Sequence, residues 1–116
     1  MTLEGLVASF AHHTRAQTAA MLGGDAKAGN KHAKQRNAAF KKLCTHGNAG
    51  RDALAGLLTH PNEDVRTMAA AYLLRYRTAE ARAVLEEAAR GQGLIAFEAG
   101  ETLKRWEEGT WALDPA

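Results

Sequence analysis

The chain has 116 residues, of which 46% are hydrophobic and 24% charged, and its formal net charge is +2 at pH 7. This length and composition predict one folded domain with a sizeable core and argue against an intrinsically disordered chain. A single cysteine excludes a framework of intramolecular disulfides and fits a reducing compartment, so we expect a cytoplasmic protein. The first residues are expected to form a helix of the mature protein and not a signal peptide, and no apolar run in the sequence is long enough to cross a bilayer.

The charge is unevenly distributed along the chain. Residues 1–58 carry eight Lys and Arg against three Asp and Glu, whereas residues 59–116 carry seven against ten. The small total is no evidence for nucleic-acid binding, but a basic end and an acidic end can orient a charged partner.

Two helices are predicted before residue 46. The first runs from its N-cap Thr2 to about Leu22, where a pair of glycines ends it. The second follows Asp25, another N-cap candidate, and reaches about Thr45. Its basic residues are Lys27, Lys31, His32, Lys34, Arg36, Lys41 and Lys42.

A proline turn separates the third and fourth predicted helices. The third covers about residues 50–58 and is interrupted at His60, because a residue before proline is excluded from helical geometry. Asn62 is the expected N-cap of the fourth helix. The inward positions of the fourth helix are Val65, Met68, Ala69, Tyr72 and Leu73.

Two more helices and a short tail complete the pattern. Thr78 is the expected N-cap of the fifth helix, which ends at the glycines of residues 91–93. The sixth helix covers about residues 94–108, and residues 109–116 are predicted to lie back over the last hairpin as a cap. The apolar stripe of the sixth helix consists of Ile95, Ala99, Leu103 and Trp106.

A four-residue skeleton recurs at intervals of thirty residues. Its copies are Gln35, Arg36, Ala39 and Leu43, then Val65, Arg66, Ala69 and Leu73, then Ile95, Ala96, Ala99 and Leu103. A single short helical hairpin cannot bury its own apolar stripes, so repeated hairpins stack on one another. Small residues are expected where the helices pack, and they are Ala38, Ala39, Ala69, Ala70, Ala71, Ala99 and Gly100.

The predicted fold is therefore all-α. It is a right-handed α-solenoid of three hairpins, about six helices in total, in one domain spanning residues 1–116. The hairpins cover about residues 2–45, 50–76 and 78–108, and the capping tail covers residues 109–116.

The middle hairpin resembles the HEAT-repeat signature. A proline and acidic turn is followed by Val65 and Arg66, paired alanines and Leu73, and the resemblance covers at least residues 51–108. It implies that Arg36, Asp64 and Arg66 support the stacking of neighbouring repeats. Ala96 stands where the last repeat would have its arginine, so this polar ladder is expected to stop there.

Nearly the whole chain also resembles a small bacterial family of three-repeat HEAT-like proteins. The resemblance lies in the stretch Gly29-Asn30-Lys31-His32 and in a closing block that contains Gly93-Leu94, Phe97-Glu98-Ala99, Leu103 and Trp106. It implies immunity proteins, each of which neutralises a partner toxin by direct binding.

No motif in the sequence predicts a metal site or a cofactor. His12 and His13 are adjacent and point about 100° apart on a helix. The other histidines are His32, His46 and His60, each alone in its segment, and we expect all five to face solvent or to cap helices.

No motif predicts an enzyme either. Cys44 and His46 lie close in sequence, but no oxyanion-hole motif accompanies them, and free cysteine usually packs as a small hydrophobe. Glu98 and Glu101 are one helical turn apart, which fits a charged outer face better than a catalytic dyad. We therefore predict a non-catalytic protein.

The predicted activity is the binding of another protein by the exposed layer formed by the second, fourth and sixth helices. Tyr72 has an alternative place in the core, since it lies three residues after Ala69. The resemblance implies a cognate toxin domain as the partner. The alternatives are nucleic-acid binding by the basic second helix and a scaffold role in a larger assembly, and no membrane partner is expected. The contact candidates are Asn30, Lys31, Lys34, Lys41, Tyr72, Arg75, Tyr76, Glu98 and Glu101.

Overall fold

A computed structural model describes residues 2–111, which form six α-helices and one short 3-10 helix and contain no strand. The predicted all-helical class is therefore confirmed over this range. None of the described helices is both long and apolar enough to span a bilayer. The helices are α1 (Leu3–Leu22), α2 (Ala26–Cys44), α3 (Asn48–Ala55), the 3-10 helix (Gly56–Thr59), α4 (Glu63–Leu73), α5 (Thr78–Ala89) and α6 (Leu94–Glu107).

The helices form two compact units, which divide between Leu57 and Leu58. In the first unit α1 and α2 pack along each other, and α3 packs against both. In the second unit α5 packs against α4 and α6, and α4 also contacts α6. The division falls inside residues 50–76, the segment predicted as the middle hairpin. The stacking of three hairpins therefore stays a prediction.

Local capping chemistry sets the starts of α1 and α2. The hydroxyl of Thr2 accepts a hydrogen bond from the Gly5 amide at 3.0 Å, and the carboxylate of Asp25 accepts one from the Ala28 amide at 3.0 Å. Both predicted N-caps are thus confirmed, and each satisfies one of the free amides at its helix start. The buried apolar residues of this unit include Leu6, Phe10, Ala39, Phe40, Leu43 and Leu54.

The junction of α2 with α3 depends on a close backbone approach at Gly50. This residue is buried in the first turn of α3, and a Cβ atom placed on it would lie 1.8 Å from the carbonyl oxygen of Leu43. No side chain larger than hydrogen fits there unless the backbone moves. Gly50 therefore sets how closely α3 approaches the end of α2.

The turn before α4 is held by hydrogen bonds within the turn and its helix. Arg66 donates from Nη1 to the carbonyl oxygens of His60 at 2.7 Å and Pro61 at 3.1 Å. The Asn62 amide donates to Nδ1 of His60 at 3.0 Å, a hydrogen bond within the turn. Asn62 occupies the N-cap position as predicted, but its side chain makes no capping hydrogen bond.

The arginines that the HEAT resemblance assigns to stacking make identifiable contacts inside their own units. Arg66 binds the turn described above, and buried Arg36 donates from Nη1 to Oε1 of Gln17 on α1. Asp64 is also buried, and its Oδ1 accepts from the Val65 amide at 2.9 Å. A role for these residues in repeat stacking stays a prediction.

Several predicted details of α5 and α6 need correction. Thr78 is the first residue of α5 and not its N-cap, because its hydroxyl donates to the Leu74 carbonyl at 2.7 Å. The apolar stripe of α6 does include fully buried Ala99, but Ala96 and Thr102 are buried more deeply than its large members. Small side chains thus form the centre of the packed face of α6, and Ile95, Leu103 and Trp106 flank it half-buried.

The described part of the C-terminal tail returns to α4. After α6 the amides of Thr110 and Trp111 donate to the Arg105 carbonyl, and the indole Nε1 of Trp111 donates to the Ala71 carbonyl at 3.0 Å. Ala71 lies in the last turn of α4, where carbonyl groups lack partners within the helix. The rest of the predicted capping tail, residues 112–116, lies outside the described residues.

Trp111→Phe should lower the free energy of unfolding by about 1 kcal/mol, because it removes the indole N–H and leaves the Ala71 carbonyl without that donor. Urea denaturation followed by circular dichroism would measure the change. Trp106→Phe is the matched control, since the indole N–H of Trp106 makes no hydrogen bond within residues 2–111. Equal losses in the two variants would show that ring size matters and the hydrogen bond does not.

Candidate binding surface on the second helix

One face of α2 carries a row of exposed basic side chains, which exposed Ala38 interrupts. We call this row the basic stripe, and it consists of Lys27, Lys31, Lys34, Lys41 and Lys42. At 100° per residue these five positions fall within an arc of about 100°. The buried residues of α2 lie on the opposite side of the helix, and they are Gly29, Arg36, Ala39, Phe40 and Leu43.

The basic stripe has no neutralising charge on its own helix. The sequence of α2 contains no Asp or Glu at all. None of the five ammonium groups has an ion-pair partner among residues 2–111, whereas Arg82 of α5 pairs with Glu86 and Glu107. The stripe is therefore a positive surface available to an anionic partner.

A shallow, solvent-open groove of about 590 Å³ lies along the first half of this helix. Three predicted contact residues, Asn30, Lys31 and Lys34, lie together in its wall, and Lys41 continues the stripe about 10 Å further along the helix. The carboxylate of Asp25 also lines the groove, but it already caps α2. The groove is lined by Asp25, Lys27, Ala28, Asn30, Lys31 and Lys34.

The other predicted contact residues lie in the second unit. Tyr72 is only 3% exposed and belongs to the core, so it offers no surface to a partner and its assignment as a contact residue is withdrawn. Its position follows from the helical spacing after Val65 and Ala69, both of which are fully buried. Arg75 is exposed just beyond α4, and Tyr76, Glu98 and Glu101 are half-buried.

The structure brings together two histidines that lie in separate segments of the sequence. Nδ1 of His13 on α1 lies 3.0 Å from Nδ1 of His32 on α2, and the ring of His12 is 4.9 Å from that of His13 between centroids. They lie on either side of the Gly23-Gly24 turn, so a hairpin brings them near each other, but whether their rings meet depends on how the two helices pack.

Electrostatics at this histidine cluster oppose further positive charge. Partial burial lowers the pKa of His13 below its ordinary value of 6.5, and the positive charges of His12, His32 and Arg36 lower it further. Within residues 2–111 no group of three or more His, Cys, Asp or Glu side chains is arranged to hold a metal ion.

These features define a small all-helical protein whose second helix displays an uncompensated basic face. The chain belongs to a family described as a domain of unknown function, DUF2019, whose model matches residues 4–106. It is similar to the crystal structure of the protein RPA1889 from Rhodopseudomonas palustris CGA009, with a TM-score of 0.89 and 31% sequence identity. That similarity covers 97% of this chain and 93% of the other. Comparison with curated proteins finds no significant match.

Proposed function

We propose that this protein is a non-catalytic module that binds an acidic surface of another protein through the basic stripe of α2. The observation that supports this most is the set of five exposed lysines on a helix without a single carboxylate. Like charges on one helix cost stability of a few tenths of a kcal/mol for each neighbouring pair, so a partner of opposite charge relieves a strain that the free protein carries.

A protein partner fits this surface better than a nucleic acid. Proteins that hold single-stranded nucleic acids stack bases on aromatic side chains, and the sole aromatic ring of α2, apart from the imidazole of His32, is Phe40, which is 2% exposed. The acidic balance of residues 59–116 also leaves the chain with a net charge of only +2, which gives little non-specific attraction to a phosphate backbone. A discrete acidic patch avoids both problems.

The finer proposal is that the partner is a cognate bacterial toxin and that the module is an immunity protein built as a HEAT-like solenoid. It is supported by the resemblance of the Gly29–His32 stretch, which lies within α2 beside the groove. A protein that neutralises a toxin by direct binding needs only a surface that is complementary to the toxin. Complementary charge on the two surfaces speeds their association.

The test is to capture binding partners from a lysate of the source bacterium with the tagged protein. The same capture is carried out with a variant in which the charge of the stripe is reversed. Lys31→Glu/Lys34→Glu should weaken capture of a specific partner at least about tenfold, because two favourable charges become repulsive. The control, Arg90→Glu/Lys104→Glu, makes the same charge change at exposed positions of the second unit and should bind normally.

The outcomes separate the candidates. A single toxin-like partner that the stripe variant loses supports the immunity proposal, and a partner retained equally by both variants contradicts binding through the stripe. The second candidate, nucleic-acid binding, predicts gel shifts with DNA or RNA at low salt that collapse as salt rises. No shift at low salt would remove it. Recovery of a large assembly would favour a scaffold role.

A further inference from the structure

The polar contacts that join α1 to α2, in addition to their apolar packing, include two between facing side chains. In one, Arg36 donates to Gln17, and in the other the Nδ1 atoms of His13 and His32 face each other at 3.0 Å. Both histidines are half-buried, and their rings are tilted by 33° with centroids 5.2 Å apart. We call this second contact the histidine contact.

Its chemistry permits only some protonation states. At 3.0 Å one Nδ1 must carry a hydrogen and the other must offer a lone pair. That condition holds when both rings are neutral in different tautomers, or when one ring is protonated. When both rings are protonated, two N–H groups and two positive charges face each other, so the contact cannot persist.

The surroundings make the doubly protonated state costly. His12 lies 6.5 Å from His32 between ring centroids and is on the same side of the hairpin as His13. Arg36 adds a fixed positive charge, and no carboxylate occurs in α2 or in α1 after Glu4.

The third helix of the unit carries one positive and one negative side chain. Helix α3 packs against both α1 and α2, and its charged residues are Arg51 and Asp52. Neither is among the groups that shift the pKa of His13, which are His12, His32 and Arg36. The same positive surroundings disfavour a metal cation between the two Nδ1 atoms.

We propose that His13 and His32 form a proton-sensitive contact that closes the α1–α2 hairpin when at least one ring is neutral and opens it when both are protonated. His32 directly follows Lys31, so opening would change how the helix that carries the basic stripe is held. This consequence for binding rests on the proposed function, whereas the contact itself does not.

The sign of the pH dependence follows from linkage. The pKa of His13 in the folded protein lies below 6.5, so between that pKa and 6.5 the unfolded chain binds more protons than the folded one. The free energy of unfolding should therefore fall as the pH falls through 6.5 and level off below the folded pKa.

The first experiment measures urea midpoints of the free protein by circular dichroism between about pH 7.5 and about pH 5. The wild-type midpoint should fall on acidification, and His13→Gln/His32→Gln should reduce that fall by at least half, because amides can pair at any pH. His46→Gln is the control, since His46 is exposed in the turn after α2, and it should keep the wild-type profile. An equal fall in all three proteins would overturn the proposal.

A second measurement needs no variant. Nuclear magnetic resonance of the wild-type chain should show the contacts between α1 and α2 near the two imidazoles weakening as the pH is lowered until both rings are protonated. Contacts that survive with both rings protonated would overturn the proposal. Because neither experiment includes a partner, its failure would leave the proposed binding function standing, and failed partner capture would leave this contact standing.

Discussion

Gly50→Ala should destabilise the protein by about 3 kcal/mol or more, which is near the upper end for single substitutions. The added Cβ would lie 1.8 Å from the oxygen and 2.6 Å from the carbon of the Leu43 carbonyl, and real Cβ atoms do not approach that closely. The obstacle is backbone and not the flexible end of a side chain, so α3 must move away from α2. Urea denaturation followed by circular dichroism would give the loss in the free energy of unfolding.

Gly100→Ala is the matched control for this prediction. Gly100 lies inside α6, and a Cβ placed on it meets no atom within 4 Å. Alanine should therefore stabilise the protein by about 0.5–1 kcal/mol through its higher helix propensity. Opposite signs for the two glycine variants are the expected result. A Gly50→Ala protein as stable as the wild type would refute the close approach of α3 to α2.

Ala99→Leu should cost about 1–3 kcal/mol, because it forces extra volume into a packed helix face. Ala99 is fully buried at the centre of the inner face of α6, which packs against α5 and α4. Neighbouring Ala96 and Thr102 are also buried and leave little room for a larger side chain to turn aside. The loss would be measured as a lower urea midpoint.

Ala38→Leu provides the comparison at an exposed helical alanine. The sequence pattern placed Ala38 among the small packing residues, but it is exposed on α2, and only its neighbour Ala39 is buried. Its replacement should change stability by less than about 0.5 kcal/mol. Similar losses at Ala38 and Ala99 would contradict the assignment of the packed faces.

Features that depend on neighbouring residues in the sequence were predictable. Capping side chains and glycines mark helix ends because they satisfy or terminate the local hydrogen-bond pattern, and Thr2 and Asp25 act as expected. The exposed face of α2 was predictable for the same reason, since helical periodicity alone separates Lys31 and Lys34 from the buried positions.

Features that depend on the path of the backbone through space were not predictable. The approach of Gly50 to Leu43 reflects the angle at which α3 leaves α2, which no local pattern encodes. The contact between His13 and His32 depends on the register of the hairpin to within one helical turn.

All four of the chain's strongest ultraviolet chromophores, Tyr72, Tyr76, Trp106 and Trp111, lie after the division at Leu57 and Leu58. Intrinsic tyrosine and tryptophan fluorescence (emission) therefore reports on the unfolding of the second unit alone. Far-ultraviolet dichroism, in contrast, monitors the helices of both units. If emission and dichroism give the same transition midpoint, the two halves melt as one cooperative body, and separated midpoints would reveal two independently folding pieces.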